Sequence, residues 1–152
     1  MCATNSEEKT VPENAFNKIM PVDIYLNYKK LGFDVNDSYS PEAGHLWTCT
    51  RSSSGIKETI TVFSNSVDYI ENAQVLVQLE PTLKKPEAAL HSLQYMVTMP
   101  FEGNSDDKCH ELQQWVMDNL YNDKAETTCG DVKFVIHAPT NMVRMLTVEK
   151  NR

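Results

Sequence analysis

Histidine and nearby carboxylates are the first candidates for chemistry in this sequence. His110 lies on a predicted helix, with Asp106 four positions and Asp107 three positions before it on the same side. Imidazole and carboxylate groups can bind metal, but the run Cys109-His110-Glu111 departs from the H-E-x-x-H zinc motif. We therefore expect neither a metal nor another cofactor, and we interpret the acidic residues as partners of the helix dipole.

Cysteine and serine are the candidate nucleophiles. His45 and Cys49 share one face of a predicted strand, but four residues of extended chain separate them by about 13 Å, too far for a hydrogen-bonded pair. The serines at 52–54 lack the G-x-S-x-G setting of hydrolases and are typical of a turn. We assign no catalytic residue, and the sequence favours a protein that is not an enzyme. The alternative is a small hydrolase or transferase whose histidine, cysteine and carboxylate groups lie far apart in sequence.

The overall composition excludes several ligand classes. The chain has 152 residues and five glycines, of which no two are closer than eleven positions, so neither a dinucleotide fingerprint nor a P-loop is present. A net charge of −7 repels phosphate backbones, and nucleic acid is therefore not an expected partner. No apolar run approaches the roughly 18 residues that span a bilayer.

The first residues, MCATNSEEKT, are polar and carry a cysteine at position 2, and no apolar periodicity precedes Phe16. Residues 1–13 are expected to be a flexible tether before a single domain at 14–152. This start resembles a mature bacterial lipoprotein, in which a lipidated cysteine precedes a polar stretch. The resemblance implies a lipid on Cys2, and membrane contact through that anchor alone. It also implies an extracytoplasmic location, either in a bacterial cell envelope or as a secreted protein. The alternative is a cytosolic protein with cysteine as its second residue.

The three other cysteines are Cys49, Cys109 and Cys129, and none belongs to a C-x-x-C pair. A structural zinc is therefore not expected. The lipoprotein resemblance implies an oxidising compartment, where one disulfide and one free thiol are expected among the three. Which two would pair does not follow from the sequence.

Apolar spacing predicts two helices. The first ends near Leu31, because Gly32 and Phe33 supply the glycine and the apolar residue that commonly follow a helix. The second begins after Ser105, a good N-cap residue. Its apolar stripe consists of Cys109, Leu112, Val116 and Leu120.

Several segments have the composition or the alternation of strands. Residues 93–101 alternate with a period of two and predict one strand. The polar stretches 36–44 and 121–130 are expected to be loops. The other predicted strands are 46–51, 56–63, 73–79, 132–137 and 142–149.

This order of elements predicts an α+β fold in which two helices pack on one face of an antiparallel sheet. Each helix is followed by a polar loop and a hairpin, which suggests two related α-β-β units. The layout resembles that of the β-lactamase-inhibitor proteins, which also use two units of a helix and antiparallel strands. This likeness rests on the order of elements across residues 20–150.

The strand face that points away from the predicted helices is almost uncharged, which is unusual for a solvent-facing sheet in an acidic protein. We therefore predict a non-catalytic binding module for a protein partner, of the inhibitor or immunity type. The alternative is that threonine and valine follow β-propensity and that a loop covers this face. The predicted contact residues are Leu76, Gln94, Met96, Val135 and Met145, with Trp47 or Trp115 as an anchor.

Overall fold

The computed structural model describes residues 12–16, 18–82 and 86–151. The lipid predicted on Cys2 and most of the predicted tether at 1–13 lie outside these residues. The described helices are α1 (Pro21–Lys30), α2 (Leu90–Met96), which follows a 3₁₀ turn (Pro86–Ala89), and α3 (Asp106–Asp118). The strands are β1 (Asp34–Ser40), β2 (Gly44–Ser53), β3 (Ile56–Ser64), β4 (Asn72–Leu79), β5 (Lys124–Cys129), β6 (Val132–Thr140) and β7 (Val143–Lys150).

All seven strands belong to one sheet with the order β1-β2-β3-β4-β7-β6-β5, and every neighbouring pair is antiparallel. The first four strands form one meander and the last three form another. The two meanders meet where β4 pairs with β7, a pairing that we call the central ladder. The predicted α+β class and antiparallel sheet are confirmed.

Local sequence explains where α1 begins and ends. Pro21 occupies its first turn, where the missing N–H costs nothing, and the Asp23 carboxylate accepts a hydrogen bond from the Met20 N–H at 2.8 Å. The helix is followed by Gly32 with φ +98°, a left-handed conformation that glycine adopts without strain. The predicted end of the first helix near Leu31 is confirmed.

The third helix begins as its sequence predicts. The Ser105 hydroxyl accepts a hydrogen bond from the Lys108 N–H at 3.2 Å, and Asp106 and Asp107 lie in the first turn, where carboxylates favour the helix dipole. Its apolar side buries Leu112 and Val116. No helix within the described ranges is long and apolar enough to cross a membrane.

Alternation along the strands separates two faces of the sheet. In β4, Ala73, Val75 and Val77 are buried, whereas Gln74 and Leu76 between them are half-exposed. We call the buried side the inner face and the opposite side the outer face. Burying one Val or Ile contributes about 1.5–3 kcal/mol relative to leaving it exposed. The helices add Ile24 and Tyr28 of α1, Leu93 and Met96 of α2, and Leu112 and Val116 of α3 to the same core.

The strand predicted at 93–101 is wrong, because α2 and a turn occupy this segment. Leu93, Met96 and Val97 are all fully buried, and their spacing of three and four fits one side of a helix. The sequence of this segment also fits the period of two of a strand, because apolar residues occur at positions 99 and 101. The described part therefore has three α-helices where the sequence predicted two.

The loops predicted at 36–44 and 121–130 are also wrong in part, since β1 and β5 occupy most of these segments. Both are edge strands, each paired with one neighbour. Edge strands are largely exposed and tolerate polar residues along their whole length, so their sequences lack the apolar alternation of central strands. Polarity in these segments reflected the edge position.

Candidate binding face

The outer face carries two parallel rows of side chains across its five middle strands. Register pairing places Leu76 beside Thr59 on one side and Met145 on the other, and Met145 beside His137. The neighbouring row runs through Thr61, Gln74, Thr147 and Val135 in the same way. The complete set, which we call the ten-residue patch, is Thr48, Thr50, Thr59, Thr61, Gln74, Leu76, Val135, His137, Met145 and Thr147.

The ten-residue patch contains no Lys, Arg, Asp or Glu. Charged outer-face residues stand at its rim, where Lys133 Nζ lies 3.6 Å from Glu126 Oε2 and 3.8 Å from Glu149 Oε1. At this end of the sheet one rim lysine therefore pairs with two rim carboxylates. An uncharged centre inside a charged rim is the typical arrangement of a protein interface.

One end of the patch is a square of four threonines. Thr48 lies opposite Thr61, and Thr50 lies opposite Thr59. Each hydroxyl both donates and accepts hydrogen bonds, whereas each methyl group adds apolar surface. This corner can therefore contact apolar or polar groups of a partner.

The patch is accessible in the described structure. Nine of its residues are partly exposed and His137 is exposed, and none of them belongs to the hydrophobic core or to the side chains packed against it. Leu46, at 39% exposure, and its partner Phe63 extend the apolar surface beyond the threonines. The large side chains of the patch thus pack beside one another on the sheet and leave their outer surfaces open.

Three of the predicted contact residues come together on this face. Leu76 and Met145 are direct cross-strand partners in the central ladder, and Val135 lies opposite Thr147 on the next pair of strands. Gln94 and Met96 do not lie on the sheet, because they belong to α2. Met96 is fully buried, and Gln94 Nε2 donates to the Gln113 carbonyl at 3.0 Å, which links α2 to α3.

Neither predicted tryptophan anchor lies on the outer face. Trp47 is only 6% exposed and stacks between Tyr25 and His45, with ring centroids 6.0 and 5.2 Å away. Trp115 is half-buried against the core from α3. The position of Trp47 follows from strand parity, because it shares the inner side of β2 with the buried Cys49.

The three described cysteines are free, so the structure does not contain the predicted disulfide. Cys49 is buried in β2, and burial raises the pKa of its thiol to about 11. The Cys109 sulfur faces the Thr98 carbonyl at 4.0 Å, and burial raises its pKa as well. The Cys129 sulfur lies 3.4 Å from the Gly103 carbonyl. A raised pKa keeps the thiols of Cys49 and Cys109 protonated at neutral pH, which makes them weak nucleophiles.

The histidines are distributed over four elements. His45 lies on β2, His91 on α2, His110 on α3 and His137 on β6. His91 stacks on Tyr95 at a centroid distance of 6.3 Å. Within the described ranges, no group of three or more His, Cys, Asp or Glu residues is arranged to hold a metal ion.

A buried polar cluster on the inner face was missed by the sequence analysis. The Glu58 carboxylate accepts hydrogen bonds from Arg51 Nε at 2.8 Å and from the Ser92 hydroxyl of α2. Tyr28 of α1 donates to the Ser92 carbonyl at 3.0 Å, and burial raises the pKa of its phenol. Strand parity could have indicated that Glu58 is buried, because Glu58 and Ile60 are two positions apart in β3 and therefore lie on the same face. The cluster joins the sheet to two helices.

Comparison with protein-family models, with curated proteins and with solved structures gave no match. The fold and the site therefore define this chain as an α+β protein with helices on one face of an antiparallel sheet and an uncharged patch on the other. The resemblances to lipoproteins and to the β-lactamase-inhibitor proteins stay predictions.

Proposed function

We propose that this protein is a non-catalytic binding module that holds a protein partner against the ten-residue patch. The observation that carries the proposal is that Leu76 and Met145 lie at the middle of an uncharged, accessible sheet face, with Val135 at one side of it. A chain with net charge −7 would ordinarily place acidic residues on such a surface to remain soluble. Their exclusion from ten neighbouring positions favours contact with another surface.

The energetics of desolvation support this use of the face. Covering a charged side chain is costly unless it is paired, whereas covering threonine, leucine or methionine removes little hydration. The Met145 thioether is flexible and adapts to the shape of a partner. A partner would therefore gain apolar contacts at Leu76 and Met145 and would place its own charges near Lys133 or Glu149.

The dimensions of the patch also suit this role. Five strands at a spacing of about 4.8 Å extend for about 19 Å across the sheet. One further row lies on each side of the two rows of the patch. The first contains Leu46 and Phe63, and the second contains Gln78 and Val143. Such a surface is large enough to be the centre of an ordinary interface of about 800 Å² per partner.

The proposal includes an extracytoplasmic location and an inhibitor or immunity-type role, in which the partner is an enzyme or a toxin that the module blocks. Its support is the polar start of the sequence with Cys2 and the absence of an assigned catalytic residue. Mass spectrometry of the protein from its native cells tests the anchor. A lipid mass on Cys2 would support this location, and an unmodified intracellular Cys2 would contradict it.

The alternative function is a small hydrolase or transferase. It would need a nucleophile beside a base, but the described cysteine sulfurs of Cys109 and Cys129 face backbone carbonyls. The His137 imidazole lies on the open sheet face, between Met145 and Lys124 of the neighbouring strands. These contacts favour the binding module over the enzyme.

The test is a double substitution of the patch, Leu76→Lys with Met145→Lys. The partner is first captured by chemical crosslinking in native cells, identified and purified, and its affinity is then measured by calorimetry. We expect the variant to bind at least about a hundredfold more weakly, because it loses two central apolar contacts and buries two unpaired charges. Circular dichroism should remain unchanged, since both side chains are on the outer face.

The matched control is Leu26→Lys with Met117→Lys, which adds the same charges at exposed apolar positions on α1 and α3. This variant should bind the partner with the affinity of the unmodified protein. A patch variant that folds and binds equally well would rule out this face as the binding site.

We also propose that the domain contains two related units of a helix and antiparallel strands. Strand order supports this, because β4, β3 and β2 on one side of the central ladder correspond to β7, β6 and β5 on the other. In this pairing α1 corresponds to α3. The strand β1 and the helix α2 are then additions to the first and second units.

A further inference from the structure

A cavity of about 520 Å³ lies on the helix side of the molecule, away from the ten-residue patch. It opens between the turn that joins β6 to β7 and the segment that follows α3. Its volume is within the range of small-molecule sites, roughly 300–1,000 Å³. Among the described residues, its lining consists of Pro81, Pro86, Tyr121, Asn141, Met142 and Arg144.

The cavity contains one buried cation. Arg144 is only 4% exposed, because its position on β7 faces the inner side of the sheet. Its Nε donates to the Leu120 carbonyl, and its Nη1 donates to the carbonyls of Thr140 at 3.1 Å and Val143 at 2.9 Å. Carbonyl groups satisfy these donors without cancelling the positive charge.

The second terminal nitrogen of the guanidinium, Nη2, makes no hydrogen bond with any residue that the structure describes. It is also not sealed inside the protein. Among the described residues, the one buried side-chain nitrogen or oxygen without a partner is Oε2 of Glu102. Because Arg144 lines the cavity, Nη2 is a donor that a ligand there can reach.

The other walls that described residues form are mostly apolar. Pro81, Pro86 and Met142 present hydrocarbon or thioether surface, and Tyr121 adds an aromatic ring that is 65% exposed. Asn141 adds an amide that can donate a second hydrogen bond. Apolar walls around a few convergent polar groups are typical of a small-molecule site.

A carboxylate of the protein also lies near the cavity. The Tyr121 hydroxyl donates a hydrogen bond to Glu87, which places a negative charge close to Arg144. A phosphate dianion needs more donors than one guanidinium nitrogen and one amide supply. A carboxylate carries a single negative charge and needs fewer donors, so it fits this arrangement better.

We propose that this cavity binds an organic monocarboxylate with an apolar body. The carboxylate accepts hydrogen bonds from Arg144 Nη2 and the Asn141 amide, and the apolar body lies against Pro81, Pro86 and Met142. The same chemistry is offered by a free short-chain acid and by the carboxyl terminus of a peptide. The site is separate from the ten-residue patch, so it does not depend on the proposed function.

The test is a titration of the full chain with sodium hexanoate, followed through backbone amide signals by NMR. N-acetylphenylalanine represents a peptide terminus, and hexanamide is the neutral isostere of hexanoate. We expect either carboxylate to shift the amide signals of residues 121 and 141–144 with a millimolar or tighter affinity. The one that binds more tightly identifies the source, and hexanamide should bind at least about tenfold more weakly.

Two variants locate the binding. Arg144→Met removes the donor and should abolish the shifts. Since that variant also frees three carbonyls and could unfold, Met142→Trp fills the cavity from a position that is 36% exposed and should weaken binding at least about tenfold. Met20→Trp, at a position of similar exposure (42%) immediately before α1, is the matched control and should bind as the unmodified protein does.

The proposal is overturned if neither carboxylate shifts these signals at about 20 mM, a concentration that detects millimolar affinity. It is also overturned if hexanamide binds as tightly as hexanoate, or if Met142→Trp leaves the affinity unchanged.

Discussion

At the scale of single residues, buried polar groups connect the layers of this protein. Glu58 receives hydrogen bonds from a strand neighbour, Arg51, and from Ser92 on α2, while the Arg51 guanidinium also lies 4.3 Å from the Phe33 ring. Such groups are expensive to bury but costlier to leave unpaired. Their partners therefore fix how the helices sit on the sheet.

Replacing Glu58 with Gln should lower the free energy of unfolding by about 2 kcal/mol, because the Arg51 charge loses its carboxylate partner in a mostly buried setting. Urea denaturation measures this loss. The control is Glu126→Gln, whose pairing with Lys133 is exposed and should be worth no more than about 0.5 kcal/mol. Equal losses in the two variants would contradict the role assigned to the buried cluster.

The thiol of Cys49 predicts a dependence of stability on alkaline pH. Its pKa is about 11 in the folded protein and near the ordinary 9.0 when unfolded. Below pH 9 the thiol is neutral in both states, and between pH 9 and 11 only the unfolded state loses the proton, so folding becomes less favourable as pH rises.

The free energy of unfolding should therefore fall by about 2 kcal/mol from this group between pH 8 and pH 11. Denaturation of the Cys49→Ala variant at both pH values should show a smaller fall than the unmodified protein, and the other groups with a raised pKa, among them Cys109 and Tyr28, contribute to the part that remains. An identical fall in the two proteins would show that Cys49 does not titrate in this way.

At the scale of elements, the element that carries an apolar residue decides whether that residue is buried. Met96 is fully buried on a helix, whereas Met145 is only partly buried on a strand. Their side chains are identical, and only the surrounding elements differ.

Met96→Lys should cost at least about 4 kcal/mol and prevent folding, because it places an unpaired charge in the core. Met145→Lys should cost no more than about 1 kcal/mol, since its outer surface is open to solvent. Thermal denaturation followed by circular dichroism compares the two. A stable Met96→Lys protein would show that α2 does not pack as described.

The elements that were predicted correctly are those whose local signals agreed with their final environment. The hairpin of β2 and β3 has apolar alternation and a turn with Gly55, and α3 has both a cap and an apolar stripe. Residues 93–101 fitted two periods at once, so only packing against β4 and α3 could decide between them. The edge strands carried no apolar signal, and their polarity was interpreted as a loop.

The positions of the candidate contact residues in the fold were predicted to the same extent as their strands. Leu76, Val135 and Met145 were placed correctly because parity alone decides the face of a residue in a strand. Gln94 and Met96 were placed on a strand where the structure has α2, and Trp47 lies on the inner side of β2 because it shares the parity of Cys49. The cavity at Arg144 joins residues that are far apart in sequence, so no local pattern indicates it.

At the scale of the whole molecule, the two faces of the sheet have different surroundings. The inner face is closed by three helices, and the outer face is open at the ten-residue patch. The cavity at Arg144 lies on the helix side. A binding partner on the outer face and a small ligand in the cavity would therefore not compete directly for space.

The central ladder also makes this chain a candidate for a split-protein reporter. Each meander is continuous in sequence, and the chain passes from one to the other once, between β4 and α2. Fragments 1–82 and 83–152, expressed together, should reassociate through the paired strands β4 and β7, which bring Val75 beside Leu146 in the core. Co-purification through a tag on one fragment measures this, and Val75→Asp should abolish it because a buried carboxylate would face the other fragment. Recovery of the tagged fragment alone would mean that the covalent connection is needed to align the two halves.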